Sequence, residues 1–152
     1  MQLATSKKVV FQNCPGVTPK SWVQAVDISP CKREPCPYIR GKNLTYTITF
    51  TPNEVVEDSE NTHLQFFAVV GAIKKQMPMG NPVACKDHGL SCPLKPNITV
   101  TLTSTSLVPK SSPPGIYFKA QLDMLDQKKK MVFCIRTYDV VRLEEEEEDD
   151  GY

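Results

Sequence analysis

The sequence lacks most of the features that would mark an enzyme, a membrane protein or a nucleic-acid-binding protein. No stretch approaches the roughly 18–20 consecutive apolar residues that a membrane-spanning helix needs, and a net charge of +1 provides no overall field to gather a polyanion. His63 and His88 are the only histidines, and there is no Gly-x-Ser-x-Gly elbow, Gly-rich phosphate loop or His-Glu-x-x-His pair. Both histidines are interpreted as ordinary surface residues. Neither catalysis, a cofactor nor a metal site is predicted.

Six cysteines, flanked by loop-type residues, indicate a disulfide framework rather than a zinc site. Structural zinc sites use closely spaced cysteine pairs; Cys31 and Cys36 approach this spacing, whereas Cys85 and Cys92 lie too far apart. Six cysteines allow fifteen pairings, and spacing alone selects none of them. Residues 1–8 lack the apolar core of a signal peptide. We therefore expect a mature, secreted chain whose targeting segment has been removed.

Apolar residues alternate with threonines across residues 44–50 and again across residues 98–103. This period of two is typical of a strand with one face in the core and the other in water. Two glycosylation sequons begin at Asn43 and Asn97. Each asparagine shares the parity of its threonine face, so glycans at both positions are predicted to project into solvent.

The rest of the chain also has strand patterns, with proline-rich loops between them. Residues 126–130 are predicted to form a hairpin loop, and residues 53–60 have only a weak helical pattern. Residues 64–73 are apolar on both faces, which fits either a strand covered on both sides or a buried edge near a ligand mouth. The fold class is predicted to be all-β, an immunoglobulin-like antiparallel β-sandwich of about seven strands. The further predicted strands are 9–12, 22–28, 64–73, 116–122 and 131–141.

Domain organisation follows from the same patterns. Residues 1–8 are expected to be an N-terminal extension and residues 9–143 the sandwich. Glu144–Asp150 form an unbroken acidic run, so residues 144–152 are predicted to be a disordered, solubilising tail.

Several segments, in order along the chain, resemble the ML-domain family of small lipid-recognition proteins. The most specific is Ala84–Leu94, which contains Cys85 and Cys92 and ends in Cys-Pro-Leu. The resemblance extends over residues 8–141. The other segments that carry it are Val9–Cys14, Val26–Cys31, Glu34–Cys36, Ala120–Leu122 and Val132–Cys134.

The resemblance implies a fold, three disulfides and a binding site. The implied pairs are Cys14–Cys134, Cys31–Cys36 and Cys85–Cys92. The family binds a sterol, fatty acid or related lipid in an apolar tunnel between two sheets, with Met77-Pro78 and Val108 expected at its mouth. Carried onto this chain, the implied lipid-binding residues are Ile48, Phe50, Phe66, Ala68, Val70, Met77, Pro78, Leu102, Val108, Phe118, Leu122 and Ile135.

The chain departs from the sterol-binding members of the family at the mouth. Residues 111–115 lack the tyrosine that flanks the sterol in those members, and residues 71–76 are more polar than usual. Lys74 or Lys75 could pair with a carboxylate head group, although a solvated lysine pair is the simpler interpretation. Fatty acids are therefore as plausible as sterols.

The leading hypothesis is a monomeric, non-catalytic lipid carrier, secreted or in the endolysosomal lumen, which binds a sterol or fatty acid. A membrane lipid-transfer partner or a receptor is the expected macromolecular partner, and nucleic acid is not. The alternative is an interaction module of innate-recognition or allergen type, which presents a surface or a bound lipid to a receptor.

Overall fold

The alternating residues 44–50 lie in one strand of the computed structural model, which describes residues 5–143. Leu44, Tyr46, Ile48 and Phe50 are at most 3% exposed, whereas the threonines between them are partly exposed. Such a strand belongs to a sheet that packs through one face only. The strands of the described segment are β1 (Lys7–Lys8), β2 (Gln12–Asn13), β3 (Ser21–Ser29), β4 (Cys36–Ile39), β5 (Asn43–Pro52), β6 (His63–Val70), β7 (Ile73–Met77), β8 (Val100–Leu107), β9 (Tyr117–Leu125) and β10 (Met131–Arg142).

The strands form two facing sheets. The first has the order β1-β3-β5-β8 and is antiparallel throughout. The second has the order β2-β10-β9-β6-β7, and β4 runs parallel to β10 beside it. The predicted all-β, immunoglobulin-like antiparallel sandwich is confirmed, with ten strands in the described segment rather than about seven.

The additional strands are short or lie at sheet edges. β4 begins within residues 30–37, which were predicted to be a proline-rich loop, and the predicted strand 9–12 is replaced by the two-residue strands β1 and β2. The weak helical pattern of residues 53–60 forms no helix. The predicted strand 64–73 is divided by a turn at Gly71, whose φ of 59° is left-handed. Its first part, β6, is an inner strand between β9 and β7 rather than an edge.

Three disulfides join the cysteines in the pairs that the family resemblance implied. Cys14–Cys134 spans 120 residues and ties the end of β2 to β10. Cys31–Cys36 and Cys85–Cys92 span 5 and 7 residues and close local loops. No cysteine is free.

The predicted domain boundaries remain expectations at both ends. Lys7 and Lys8, placed in the predicted extension, pair with Ile28 and Asp27 of β3. The predicted acidic tail, residues 144–152, lies outside the described residues. The sequon asparagines Asn43 and Asn97 are both exposed.

Candidate functional site

An apolar cavity opens between the two sheets at one end of the sandwich. Its volume is about 230 Å³, somewhat below the ~300–1,000 Å³ typical of small-molecule pockets. It lies where β4 to β10 end or begin, so both sheets contribute to its walls. The lining residues are Tyr38, Leu44, Phe66, Ala68, Val70, Lys75, Met77, Pro78, Ser106, Leu107, Val108, Pro109, Ser111, Ser112, Pro113, Ile116, Phe118 and Val141.

Seven of the twelve residues implied by the family resemblance line this cavity. β6 supplies three of them at alternating positions, because side chains two residues apart share a face of the sheet. The residues expected at the mouth, Met77, Pro78 and Val108, are also among the lining residues. The seven are Phe66, Ala68, Val70, Met77, Pro78, Val108 and Phe118.

The other five residues lie in the packed core and not in the cavity wall. Each is at most 1% exposed, and the Phe50 and Phe133 rings pack with their centroids 5.1 Å apart. Alternation along a strand identifies the inward face but does not indicate how far the two sheets are separated at each point. The five residues are Ile48, Phe50, Leu102, Leu122 and Ile135.

Sequence reasoning missed several wall residues. Tyr38 lies on the unpredicted strand β4. Leu44 and Val141 belong to predicted strands, and only their position near one end of the sandwich brings them to the cavity. The loop of residues 108–116 forms much of one rim of the cavity. Its proline content indicated a loop, but not that the loop lines a cavity.

The two adjacent lysines of β7 face opposite sides of the sheet. Lys75 pairs in register with Ala68, and both residues line the cavity. The Lys74 ammonium lies 4.6 Å from the centroid of the Phe67 ring, and Phe67 does not line the cavity. Of the two lysines, Lys75 is therefore the one that lies at the cavity wall.

A buried polar cluster adjoins the inner end of the cavity. The hydroxyls of Tyr38 and Tyr46 are in hydrogen-bond contact, and the Tyr46 hydroxyl lies 3.3 Å from Thr137 Oγ1. Thr137 Oγ1 donates a hydrogen bond of 2.8 Å to Asp139 Oδ2. Asp139 is fully buried, and within residues 5–143 its Oδ1 has no hydrogen-bond partner. These four side chains, Tyr38, Tyr46, Thr137 and Asp139, are called the tyrosine–aspartate cluster below.

Burial dominates the electrostatics of this cluster. It raises the pKa of Asp139 from its ordinary 3.8 to about 7, although hydrogen bonds from Thr137 and Tyr38 favour the charged form. Burial likewise raises the pKa of both tyrosines well above 10, and the Asp139 charge adds to each shift. Burial therefore favours the neutral form of each group.

His88 is a buried residue whose ring contacts two backbone carbonyls. His88 is 7% exposed, so its interpretation as a surface residue was wrong. Its Nδ1 lies 3.0 Å from the Thr103 carbonyl oxygen and its Nε2 lies 2.8 Å from that of Asn81. The ring thus joins β8 to the loop that follows Met77. Within residues 5–143, no three His, Cys, Asp or Glu side chains are grouped as metal ligands would be.

No helix in the described part of the chain is long and apolar enough to cross a lipid bilayer.

The chain is similar in sequence to several known proteins. It is 28% identical over 134 residues to NPC intracellular cholesterol transporter 2 of Bos taurus, covering 86% of this chain and 83% of that protein. Identity to the Danio rerio protein of the same name is 29% over 131 residues, covering 84% and 81%. The ecdysteroid-regulated 16 kDa protein of Manduca sexta is 31% identical over 110 residues, covering 71% and 70%.

A solved structure has the same fold. The Niemann-Pick type C2 protein of the Japanese carpenter ant superposes with a TM-score of 0.76 at 24% identity, covering 88% of this chain and 99% of that one. At this identity the likeness establishes the fold alone. The family model described as ML domain matches residues 8–138. The chain therefore belongs to the ML-domain family.

Proposed function

We propose that the protein is a non-catalytic carrier that holds a sterol or a fatty acid between its two sheets. The observation that carries the proposal is the cavity, whose walls are formed mainly by apolar side chains and which opens at one end of the sandwich. Burial of apolar surface contributes roughly 25 cal/mol per Å², so a lipid binds there with little polar chemistry. Membership of the ML-domain family and the similarity to proteins named as cholesterol transporters support this function.

The small volume indicates how such a ligand would be held. A cavity of about 230 Å³ is below the usual range for drug-sized ligands, so a bulky sterol requires the mouth to widen. Met77 lies in the cavity wall, and a methionine side chain adapts readily to ligands of different shape. A single acyl chain requires less movement, and Lys75 is placed to pair with its carboxylate.

Three disulfides and two exposed sequons fit a secreted or endolysosomal protein. Within that setting we propose a monomer that exchanges its lipid with a membrane partner or a receptor.

The test is direct measurement of ligand binding. Lipids extracted from the purified protein are identified by mass spectrometry, and displacement of a fluorescent sterol and a fluorescent fatty acid is titrated. Ala68→Phe, which fills the cavity, is expected to weaken binding at least tenfold. Ala72→Phe, at an exposed position in the β6–β7 turn, is the matched control and should bind as the unmodified chain does. Absence of saturable binding of either class would overturn the proposal.

A further inference from the structure

The cavity stops abruptly along three of its strands. On β5, Leu44 lines the wall and the next inward-facing residue, Tyr46, does not. On β10, Val141 lines the wall and Asp139 does not, and on β9 the lining ends at Phe118. Tyr46 and Asp139 are 3% and 0% exposed. The boundary between cavity and packed core therefore coincides with the tyrosine–aspartate cluster.

Aromatic rings fill the space at this boundary. The Tyr38 ring stacks against Phe66 with centroids 6.5 Å apart and meets Phe118 edge-on at 5.0 Å. The Tyr46 ring meets Phe66 at 6.0 Å. A ligand that reaches this depth meets ring atoms on both sides.

Hydrogen bonds across the cluster join the two sheets. Tyr38 and Thr137 belong to the larger sheet and Tyr46 to the smaller, so both hydroxyl contacts of Tyr46 cross between the sheets. Apolar contacts are non-directional and can slide when a ligand enters. Separating a buried hydroxyl from its partner instead leaves buried polar atoms unsatisfied, which is unfavourable. The sheets are thus more firmly held at the cluster than at the apolar mouth.

We propose that the tyrosine–aspartate cluster is the floor of the ligand site and limits the length of the lipid chain that the protein can bury. This inference rests on the proposed carrier function. Tyr38 and Tyr46 are the specificity-determining residues, and Thr137 and Asp139 position the Tyr46 hydroxyl. The favoured ligand is a short or medium-length single chain, or a longer one whose far end remains outside the mouth.

The test is a homologous series of saturated fatty acids, from short to long chains, titrated against the purified full-length protein. Each added methylene that enters the cavity should strengthen binding by about fourfold, until the chain reaches the floor and the gain ends. In Tyr46→Val, which removes the ring, the gain should continue to longer chains. Leu44→Ala widens the cavity above the floor on the same strand and face, so it should leave the plateau at its original chain length.

Tyr46→Phe separates ring bulk from hydrogen bonding, because it keeps the ring and removes the hydroxyl that joins the sheets. If the cluster holds the floor in place, the plateau moves to longer chains in this variant too, by less than in Tyr46→Val. Thermal melts followed by circular dichroism establish that each variant is folded before binding is compared.

The outcomes separate the two proposals. If the unmodified protein binds no fatty acid and no sterol, the carrier function itself fails. If it binds the series and the plateau stays at the same chain length in both Tyr46 variants, the carrier function stands and the floor is refuted. A plateau that moves in Tyr46→Val but not in Tyr46→Phe would refute the role of the hydrogen bonds.

Discussion

Asp139 places a carboxyl group at zero exposure in the interior of an apolar sandwich. Isolated charges are expensive to bury, and a carboxyl in this position prefers to bind a proton. Its pKa of about 7 reflects that preference. Asp123, at 2% exposure on the same sheet, has a pKa raised by burial as well.

This burial predicts that the protein becomes less stable as the pH rises. Because the folded state binds a proton at Asp139 more tightly than the unfolded chain, its contribution to stability is complete below about pH 4. It is lost as the pH rises through about 7. The loss at Asp139 is at most about 4 kcal/mol, since one pKa unit corresponds to 1.36 kcal/mol.

Asp139→Asn should remove this dependence. The difference in melting temperature between Asp139→Asn and the unmodified protein is measured from pH 4 to pH 8, and it should shift in favour of the variant as the pH rises. Asp58→Asn, at an exposed loop position, is the control. Its difference in melting temperature from the unmodified protein should stay constant from pH 4 to pH 8. A flat difference for Asp139→Asn as well would contradict the prediction.

His88 is predicted to contribute to stability rather than to chemistry. His88→Phe removes the ring nitrogens that lie within hydrogen-bonding distance of the Asn81 and Thr103 carbonyl oxygens, so the free energy of unfolding should fall by about 1–3 kcal/mol. Urea denaturation measures the change. Lys86→Ala, an exposed position in the same turn, should stay within about 0.5 kcal/mol of the unmodified protein. An equal effect of both substitutions would exclude a specific role for His88.

At the scale of the strand, the opposite orientations of Lys74 and Lys75 yield a prediction about head groups. Lys75→Gln should weaken binding of a fatty-acid probe by about two- to fivefold at low salt, as expected for one exposed ion pair. The effect should shrink as salt is added. Lys74→Gln is the matched control, because Lys74 lies over Phe67 and not at the cavity. Loss of sterol and fatty-acid binding to the same extent would show that Lys75 does not recognise the carboxylate.

Strands that alternate cleanly could be predicted from the sequence, and the short or exposed strands β4 and β7 could not. β5 and β10 combine long inward-facing series with β-branched residues and were predicted nearly to their ends. β7 reads Ile-Lys-Lys-Gln-Met and is almost entirely exposed, so it has no apolar face to reveal it. β4 has four residues beside Pro35 and becomes a strand only because β10 offers a free edge.

The candidate site was only half predictable for a related reason. Phe66 and Leu122 both face inward and pair across β6 and β9, yet Phe66 lines the cavity and Leu122 does not. The distance between the two sheets at each point determines whether an inward-facing residue lines the cavity. The residue pattern of a single strand does not give that distance. The tyrosine–aspartate cluster could not be predicted, because its members are far apart in sequence and come into contact only when the sheets pack.

At the scale of the whole molecule, the Cys14–Cys134 disulfide should dominate the stability contributed by cross-links. In the chain-entropy model a loop of 120 residues is worth about 5 kcal/mol and a loop of 7 residues about 2 kcal/mol. Replacing both cysteines of the long pair with serine should therefore lower the free energy of unfolding by more than the same change at Cys85 and Cys92. Guanidinium denaturation of the two double variants measures the difference. A larger loss for the Cys85 and Cys92 variant would contradict the model.

The same long disulfide determines what proteolytic cleavage in the rim loop does to the protein. Lys110 is exposed in the rim loop, and a cut after it divides the backbone between Cys14 and Cys134. The two fragments would remain covalently joined through that bond. The first carries β1 to β8, and the second carries β9 and β10 of the larger sheet. A nicked molecule would therefore migrate as one band on a non-reducing gel and as two after reduction. A cut at the rim of the cavity would then leave the two parts of the chain attached to each other.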